Sequence, residues 1–421
     1  MLIDRVADAR VAGHAGLCAL RIEAGRCASL EVADAVGAPA GATTLDAGGR
    51  VVVPAFVDAH VHLDKAFLLH EAEAAGPLSP TLESAISSVA ALRKTLSPGV
   101  VRAGAERAVE RLVMHGITAA RVHVEIEPTV GLELARMHQA LAAAVADRIA
   151  LQLVAFPQLG IEPAGMVDLL TNALGLGLEV VGGCPYVDAD PRRHLDVVFA
   201  LAERFGVPVD LHLDFNDDPG RSLLKLVAER TRAHAMAGRV TLGHVTTLAA
   251  MSPDEQAASL DLLAESGISL IVLPATDLYL AGHGEPGTRS LAPWERARAR
   301  GVRVAIANNN LCNPFAPFGN GNLLQAAWLA GVVRRPSTPE GRRDLFDAVT
   351  SAPAAILGLL PHGPAVGADA HLAILDALDP DEVVIEAPAV LATVRSGRLV
   401  GRLTGPVVRS VSDAVSHAQR S

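Results

Sequence analysis

Aromatic residues are scarce in this chain: phenylalanine, tryptophan and tyrosine together make up 3% of its 421 residues. Trp294, Trp328 and Tyr279 lie apart in the sequence and form no series on which nucleic-acid bases could stack. The formal net charge of −10 also argues against a nucleic-acid partner. We therefore expect a small molecule, and no nucleic acid, as the partner of this protein.

Long apolar runs are absent as well, although half of the residues are hydrophobic. No uninterrupted apolar segment reaches the roughly 20 residues that a membrane-spanning helix needs, and residues 1–5 lack the pattern of a signal peptide. The four cysteines are scattered without paired metal spacing, which is typical of free thiols in a reducing compartment. These features predict a cytoplasmic protein without a membrane partner, and they are compatible with a homo-oligomer.

The two ends of the chain share one texture, in which short strand-like pieces are separated by glycine-containing turns. Residues 1–50 and residues 363–410 therefore predict the two parts of one small β-sandwich. Residues 411–421 are expected to form a C-terminal tail. The segment between the two parts, residues 51–362, has a different pattern and is predicted to form a domain of its own.

In this middle segment, eight short apolar runs alternate with amphipathic helical stretches. The predicted strands cover residues 51–57, 119–124, 149–156, 178–181, 207–213, 240–245, 269–273 and 302–306. Strands that are apolar on both faces and separated by helices indicate a parallel sheet, and eight such units fit an α/β fold of the (β/α)8 barrel type. No glycine fingerprint of a dinucleotide-binding fold follows the first strand. Predicted helices at 323–333 and 342–360 close the barrel.

Polar residues end nearly every predicted strand, and in a barrel these ends form the rim that carries the active site. His60 and His62 lie two apart on the first strand, so their side chains share a face and can reach one ion. His212 and His244 end later strands at the same rim. Imidazole ligands suit zinc, iron and other first-row ions, so we expect one divalent metal ion here. His123 is either a further ligand or a hydrogen-bonded support.

Other rim residues allow two interpretations each. Gln158 either recognises a polar edge of the substrate or caps a loop, and Asp277 either lines the pocket or lies in a solvated loop. Asp64 and Asp214 each follow a histidine by two residues. They are candidates for the general base, or else they orient the histidines by hydrogen bonds.

At these residues the chain resembles the amidohydrolase superfamily, and within it the cytosine deaminase-like group. The resemblance runs from about residue 48 to residue 403. Its motifs are PAFVDAHVHLD at 54–64, VAFPQLGI at 154–161, HLD at 212–214, Asp217-Asp218, Arg221, Gly243-His244 and Asn313-Pro314. The resemblance implies that His60, His62 and His212 bind the metal, that His244 steers the attacking water or the substrate, and that Gln158 recognises the substrate amide. Relatives with two metals use a lysine on strand four, and residues 178–185 contain none, which implies a single ion.

Two positions depart from the pattern of this group. Where the deaminases carry a proton-shuttling glutamate after the His-x-Asp motif, this chain has Phe215. Where their eighth strand ends in a metal-binding aspartate, this chain has Asn309, followed by Asn310. An amide cannot act as a general base and is a weaker metal ligand than a carboxylate. Cytosine itself is therefore not the expected substrate, and the proton-transfer role falls to His244, Asp214 or Asp64.

The sequence thus predicts a metal-dependent hydrolase that acts on a carbon–nitrogen bond, other than a peptide bond, of a small cyclic or amide-like compound. Phe215, Asn309, Asn310, Asp277 and Gln158 are predicted to line its substrate pocket. In the alternative, the ion is weakly bound or absent, and the barrel binds a small molecule or runs a different reaction. A non-catalytic binding protein is the third hypothesis, because site residues rather than fold decide function.

Overall fold

The structure is a computed structural model that describes residues 1–32, 41–282, 290–336 and 338–403. The predicted tail at 411–421 lies outside the described residues, as do positions 404–410 of the predicted second sandwich part. No helix within the described ranges is long and apolar enough to cross a membrane.

The chain begins with five short strands, four of which form one sheet. They are β1 (Arg5–Ala9), β2 (Cys18–Glu23), β3 (Arg26–Val32), β4 (Thr44–Asp46) and β5 (Val51–Pro54). The sheet has the order β3-β2-β1-β4, with β4 parallel to β1 and the other pairs antiparallel. Ala24 and Gly25, which join β2 to β3, both have positive φ. This backbone is typical of the tight turns that match the twist of a two-stranded hairpin.

Eight parallel strands follow and form the barrel in strictly sequential order. They are β6 (Phe56–Val61), β7 (Ile117–Glu125), β8 (Ala150–Phe156), β9 (Val180–Gly183), β10 (Val209–Leu213), β11 (Val240–His244), β12 (Ile268–Val272) and β13 (Val304–Ile306). The barrel is closed between its first and last strands, where Asn309 N donates to His60 O at 2.8 Å and His62 N donates to Asn309 O at 2.7 Å. Closure therefore places Asn309 directly beside His60 and His62.

Fifteen helices accompany these strands within the described residues. They are α1 (Leu69–Ala75), α2 (Leu82–Arg93), α3 (Pro98–Met114), α4 (Glu133–Ala144), α5 (Met166–Gly175), α6 (Pro191–Phe205), α7 (Leu224–Ala233), α8 (Thr247–Ala250), α9 (Pro253–Glu265), α10 (Pro274–Leu280), α11 (Trp294–Ala299), α12 (Leu323–Arg334), α13 (Pro339–Asp347), α14 (Ser351–Ile356) and α15 (Val383–Glu386). Strand valines and helix leucines pack together in one large core around the barrel.

The last three strands return to the amino-terminal part of the chain. β14 (Leu372–Leu375), β15 (Val390–Arg395) and β16 (Arg398–Arg402) form a second four-stranded sheet with β5, in the order β16-β15-β14-β5. Side chains from both terminal sheets share one apolar core, for example Leu20 of the first sheet and Ile374 of the second. The predicted barrel with a composite sandwich from both termini is confirmed.

The prediction of residues 51–57 as one barrel strand is wrong. The run is divided between β5, which pairs with β14 of the sandwich, and β6, which begins the barrel. Because alternate residues of a strand point to opposite faces, Val52 packs in the sandwich core while Val51 and Val53 pack in the barrel core. Pro54 has no N–H to continue the ladder, and the chain changes sheet at the next residue. Both strands are apolar, so a pattern of hydrophobicity alone shows no boundary between them.

The helix predicted at residues 342–360 is also divided, into α13 and α14. The chain leaves helical geometry at Thr350, whose φ and ψ are −126° and −88°. Pro353 then lies in the first turn of α14, where its missing N–H costs no hydrogen bond. Ala354 and Leu357 pack with Val57, Ala59 and other small strand residues, so this short helix closes the bottom of the barrel.

Candidate metal centre and active site

Three imidazoles from two strands meet at the carboxyl-terminal rim of the barrel. His60 lies in β6 and His62 directly follows this strand, while β10 supplies His212. His212 Nε2 lies 3.2 Å from His60 Nε2 and 3.1 Å from His62 Nε2, and all three rings are buried. One nitrogen of His212 cannot complete a full hydrogen bond with both neighbours, since it carries either one proton or one lone pair. At least one imidazole nitrogen of the three is therefore left without a full hydrogen bond, and its lone pair can bind a cation.

The donor set fits a divalent ion. A tetrahedral ion with metal–nitrogen bonds near 2.0–2.1 Å holds its ligand nitrogens about 3.3 Å apart, close to the separations seen here. The pKa of each of the three histidines lies well below the ordinary value, first because of burial and then because of neighbouring positive groups. The rings are therefore neutral at neutral pH, which is the form that binds metals.

His244, at the end of β11, lies on the open side of this group. Its ring centroid is 5.2 Å from that of His212 and 6.0 Å from that of His60. His244 Nδ1 and Asp277 Oδ1 are 2.6 Å apart, and Asp277 also accepts a hydrogen bond from Leu273 N at 3.2 Å. Burial raises the pKa of Asp277, although His244 opposes the shift. The carboxylate thus fixes the orientation of the imidazole and leaves Nε2 as its remaining nitrogen.

His123 is committed to a different network beneath the centre. Its ring stacks on that of His60 at 3.8 Å, and its Nε2 lies 3.2 Å from Asp210 Oδ1. Arg121 donates to the other oxygen of Asp210 at 2.8 Å. Burial raises the pKa of Asp210, but His123 and Arg121 together hold it below the ordinary value. This arrangement favours the hydrogen-bonded support over the further ligand, although His123 also lies within ligand reach of His60 and His62.

The two aspartates considered as bases lie outside the imidazole group. Asp64 Oδ2 accepts from Arg93 NH2 at 2.9 Å and from Glu125 N at 3.1 Å. Asp214 accepts from the hydroxyl of Ser222 at 2.6 Å and from Leu223 N at 3.0 Å, which anchors the loop before α7. Both carboxylates therefore hold loops and a helix around the rim, and neither bonds to a histidine within the described part of the chain.

Gln158 is held by a lysine whose role the sequence did not reveal. Lys65 Nζ donates to Gln158 Oε1 at 3.1 Å, and both side chains are buried. The lysine also lies over the rings of Phe315 and Phe156, with its nitrogen 4.6 Å and 5.9 Å from their centroids. Its position three residues after His62 was the only available signal, since its partners come from distant parts of the chain. The Gln158 amide group is thus oriented within the site rather than used to cap a loop.

Phe215 and Asn309 occupy the two positions that depart from the deaminase pattern. Phe215 stacks on His244, with ring centroids 4.1 Å apart, and packs with Ala85, Val89 and Phe315 of a small apolar cluster. The Asn309 main chain bonds to that of His60 and His62, and its buried side-chain oxygen has no hydrogen-bond partner among the described residues. The side-chain oxygen of Asn310, in contrast, has a partner, because it accepts a hydrogen bond from Asn313 Nδ2 at 2.8 Å.

The structure thus brings together His60, His62, His212, His244 and Asp277, with Phe215 stacked on His244 and Asn309 beside the first strand. Such a rim can hold one ion, position an oriented imidazole beside it and present an amide to a flat polar molecule.

Comparison with known proteins shows which family this chain resembles. The amidohydrolase family model matches residues 68–401. The chain is 29% identical over 373 residues to a pterin deaminase of Rhizobium rhizogenes, covering 87% of this chain and 84% of the relative. It is 25% identical over 374 residues to an N-isopropylammelide isopropyl amidohydrolase of Pseudomonas sp., covering 85% and 87%. The 5-methylcytosine deaminase of Klebsiella pneumoniae superposes with a TM-score of 0.89 at 29% identity, covering 97% of this chain and 100% of that chain.

These matches span most of the chain. They confirm the predicted resemblance to cytosine deaminase and its relatives, and they confirm the predicted class of reaction, hydrolysis of carbon–nitrogen bonds other than peptide bonds. The chain belongs to the amidohydrolase family.

Proposed function

We propose that the protein holds one divalent ion on His60, His62 and His212 and hydrolyses an exocyclic or ring carbon–nitrogen bond of a flat nitrogen heterocycle. The observation that carries this proposal is the approach of two imidazole nitrogens to within 3.2 Å of His212 Nε2. The relatives support the substrate class, since a pterin, an ammelide and a methylcytosine are all flat nitrogen heterocycles.

A bound ion would supply Lewis-acid polarisation and lower the pKa of water. The residues of the chain then have separate tasks. His244, oriented by Asp277, is placed to take a proton at Nε2 and to give it to the leaving nitrogen. The Asp277 carboxylate stabilises the imidazolium that forms, as a buried carboxylate does in other oriented pairs. This pair replaces the glutamate that Phe215 cannot provide.

Substrate placement falls to the opposite wall of the site. The amide of Gln158, held by Lys65, can donate and accept hydrogen bonds in the plane of a ring. Phe156 stacks on His212 and Phe215 stacks on His244, so the two phenylalanines make the histidine side of the site apolar and hold these imidazoles in place. Asn309 offers a neutral oxygen where a carboxylate would otherwise compensate part of the charge of the ion, so we expect a single, weakly held ion.

Metal analysis of protein purified without chelator, followed by turnover of a panel of lactams, ureas, aminoheterocycles and cytosine, tests this proposal. We expect up to one equivalent of zinc or iron, turnover of at least one panel member, and no useful turnover of cytosine. His212→Ala should abolish both metal and activity, whereas the exposed-site control His14→Ala should retain both.

The alternative function, a metal-poor barrel that binds a small molecule, is favoured by one feature, the neutral Asn309 at the closure of the barrel. Binding of panel members without metal and without turnover would select this alternative. Fast turnover of cytosine would instead show that another residue carries the proton that the deaminase glutamate would move.

A further inference from the structure

Lys65 is a buried lysine whose side chain contacts no counter-ion among the described residues. It lies in the turn that follows β6, and the residue is 1% exposed. Within the same part of the chain, the only hydrogen bond of its ammonium group is the one donated to Gln158, and no carboxylate lies within the 4.0 Å of an ion pair. An ammonium group has three N–H donors, so two remain unused. Phe315 and Phe156 stabilise the charge from their faces but accept no full hydrogen bond.

The carboxylates along the same part of the rim are poor counter-ions for Lys65, because they either pair with an arginine or have a raised pKa. Arg93 binds Asp64 and Glu125, at 2.9 Å each. Glu127 is buried, and burial, with the neighbouring Glu125 charge, raises its pKa to about 7. The two positions that depart from the deaminase pattern carry no charge, because phenylalanine and asparagine stand at 215 and 309. A buried charge that is neither paired nor fully hydrogen-bonded is costly, and such groups are retained where a ligand completes them.

We propose that Lys65 is a recognition site for an anionic oxygen of the substrate, so that the enzyme acts on an acidic heterocycle rather than on a neutral base such as cytosine. The anionic oxygen would take the two unused donors of the ammonium group, while Gln158 binds the adjacent ring edge. The apolar surroundings strengthen this contact, because water competes poorly for it there. This inference rests on the proposed function, since it places the substrate ring between Gln158 and the metal centre.

Two sources of such an oxygen share this chemistry: a carboxylate attached to the ring, or a ring oxygen made anionic by loss of an acidic imide proton. Orotate, barbiturate and uracil separate them, because orotate carries the carboxylate, barbiturate carries the ring anion, and uracil is the neutral ring of the same shape. We expect the native protein to bind orotate, barbiturate or both at least about tenfold more tightly than uracil, by calorimetry at low salt. Which of the two binds identifies the source, and equal affinity for all three rings would overturn the proposal.

Lys65→Met tests the residue itself, with the exposed Lys225→Met as the matched control. We expect Lys65→Met to weaken binding of the anionic ring about ten- to a hundredfold and to leave uracil binding unchanged. We also expect its melting temperature to be equal to or above that of the native protein, because an uncompensated buried charge is replaced by a side chain that packs well against aromatic rings. Lys225→Met should change neither property.

A lysine with a purely structural role would behave differently. Lys65→Met would then melt at a lower temperature, or it would keep the anion preference, and either result overturns the proposal. Binding and melting are measured without turnover. A protein that lacks metal or activity would contradict the proposed function while still showing the anion preference of Lys65.

Discussion

Asn309 is a neutral side chain beside the proposed metal site. Its backbone is fixed between His60 and His62 by the closure of the barrel, and its buried oxygen has no partner among the described residues. A carboxylate at the same place would add a formal negative charge to three neutral imidazoles. In the proposed metal centre, we therefore expect Asn309 to keep the shape of the site while lowering its attraction for a cation.

We expect Asn309→Asp to retain metal at least about tenfold better during dialysis against a chelator, the gain of a contact to a charged rather than a neutral oxygen. The metal-free variant should be less stable than the native protein, because its new carboxylate is buried and unpaired. Asn320→Asp, at an exposed position, is the control and should change neither property. Unchanged retention in Asn309→Asp would mean that position 309 does not face the ion.

The contact between His244 and Asp277 allows a second prediction about a single side chain. In Asp277→Asn, the amide oxygen can still accept from Leu273 N, which turns the amide nitrogen toward His244 Nδ1 and forces the proton onto Nε2. The imidazole then cannot take up a proton where the reaction needs it. We expect kcat to fall by about 10²–10⁴-fold with unchanged metal content. The exposed Asp254→Asn should keep full kcat, and full activity in Asp277→Asn would exclude His244 as the proton carrier.

Helix α2 is attached to the rim of the barrel by a single buried arginine. Arg93 NH2 lies 2.9 Å from both Asp64 Oδ2 and Glu125 Oε2, and its NH1 donates to Asp64 O at 2.8 Å. The same helix contributes Ala85 and Val89 to the apolar cluster around Phe215. The ion pairs therefore position one wall of the pocket as well as stabilising the fold.

Arg93→Met should lower the free energy of unfolding by about 3–5 kcal/mol, because two carboxylates stay buried without their partner. Arg102→Met is the matched control. It removes an exposed ion pair of 2.8 Å with Glu106 and should cost at most about 1 kcal/mol. Urea unfolding at pH 7 measures both variants, and equal losses in the two would contradict this role of Arg93.

Site residues could be predicted from the sequence where strand order alone brings them together, and could not be predicted where they depend on contacts with distant parts of the chain. His60, His62, His212 and His244 could be found because parallel strands bring their carboxyl ends to one rim, which makes strand ends equivalent to positions in space. Arg93 and Lys65 could not be found in this way. Arg93 lies on a helix that shows no link to Asp64, and the burial of Lys65 depends on Phe315, 250 residues further along the chain. The boundary at Pro54 was missed because β5 and β6 are both apolar.

The sandwich and the barrel share structural parts, so at the scale of the whole molecule we expect them to unfold together. β5 packs one face in each of the two cores. Thr393 of β15 donates to Val113 O of α3 at 2.8 Å, and His371 O accepts from Ala55 N at the start of the barrel at 3.0 Å. A strand that belongs to both cores cannot leave one without exposing the other.

His371 gives a way to test this coupling by pH. Its Nδ1 accepts from Ser396 N at 2.9 Å, so the folded state needs the neutral ring. Burial, followed by the nearby His362, lowers its pKa to about 4. The pKa of an unfolded histidine is about 6.5. Unfolding therefore takes up a proton between these values: the contribution of His371 to stability is intact above pH 6.5 and is lost as the pH falls toward 4.

In His371→Gln this loss is absent. The slope of unfolding free energy against pH should fall by at most about 1.4 kcal/mol per pH unit between pH 6 and 4.5. The exposed His14→Gln is the control and should keep the native slope. The fluorescence of Trp294, which is buried in the barrel core, should report the same change as far-UV circular dichroism, with Trp328→Phe as the common background so that Trp294 is the only emitter. A slope that changes by circular dichroism but not by Trp294 fluorescence would show that the sandwich unfolds on its own, since His371 acts on the barrel only through the strands that the two cores share.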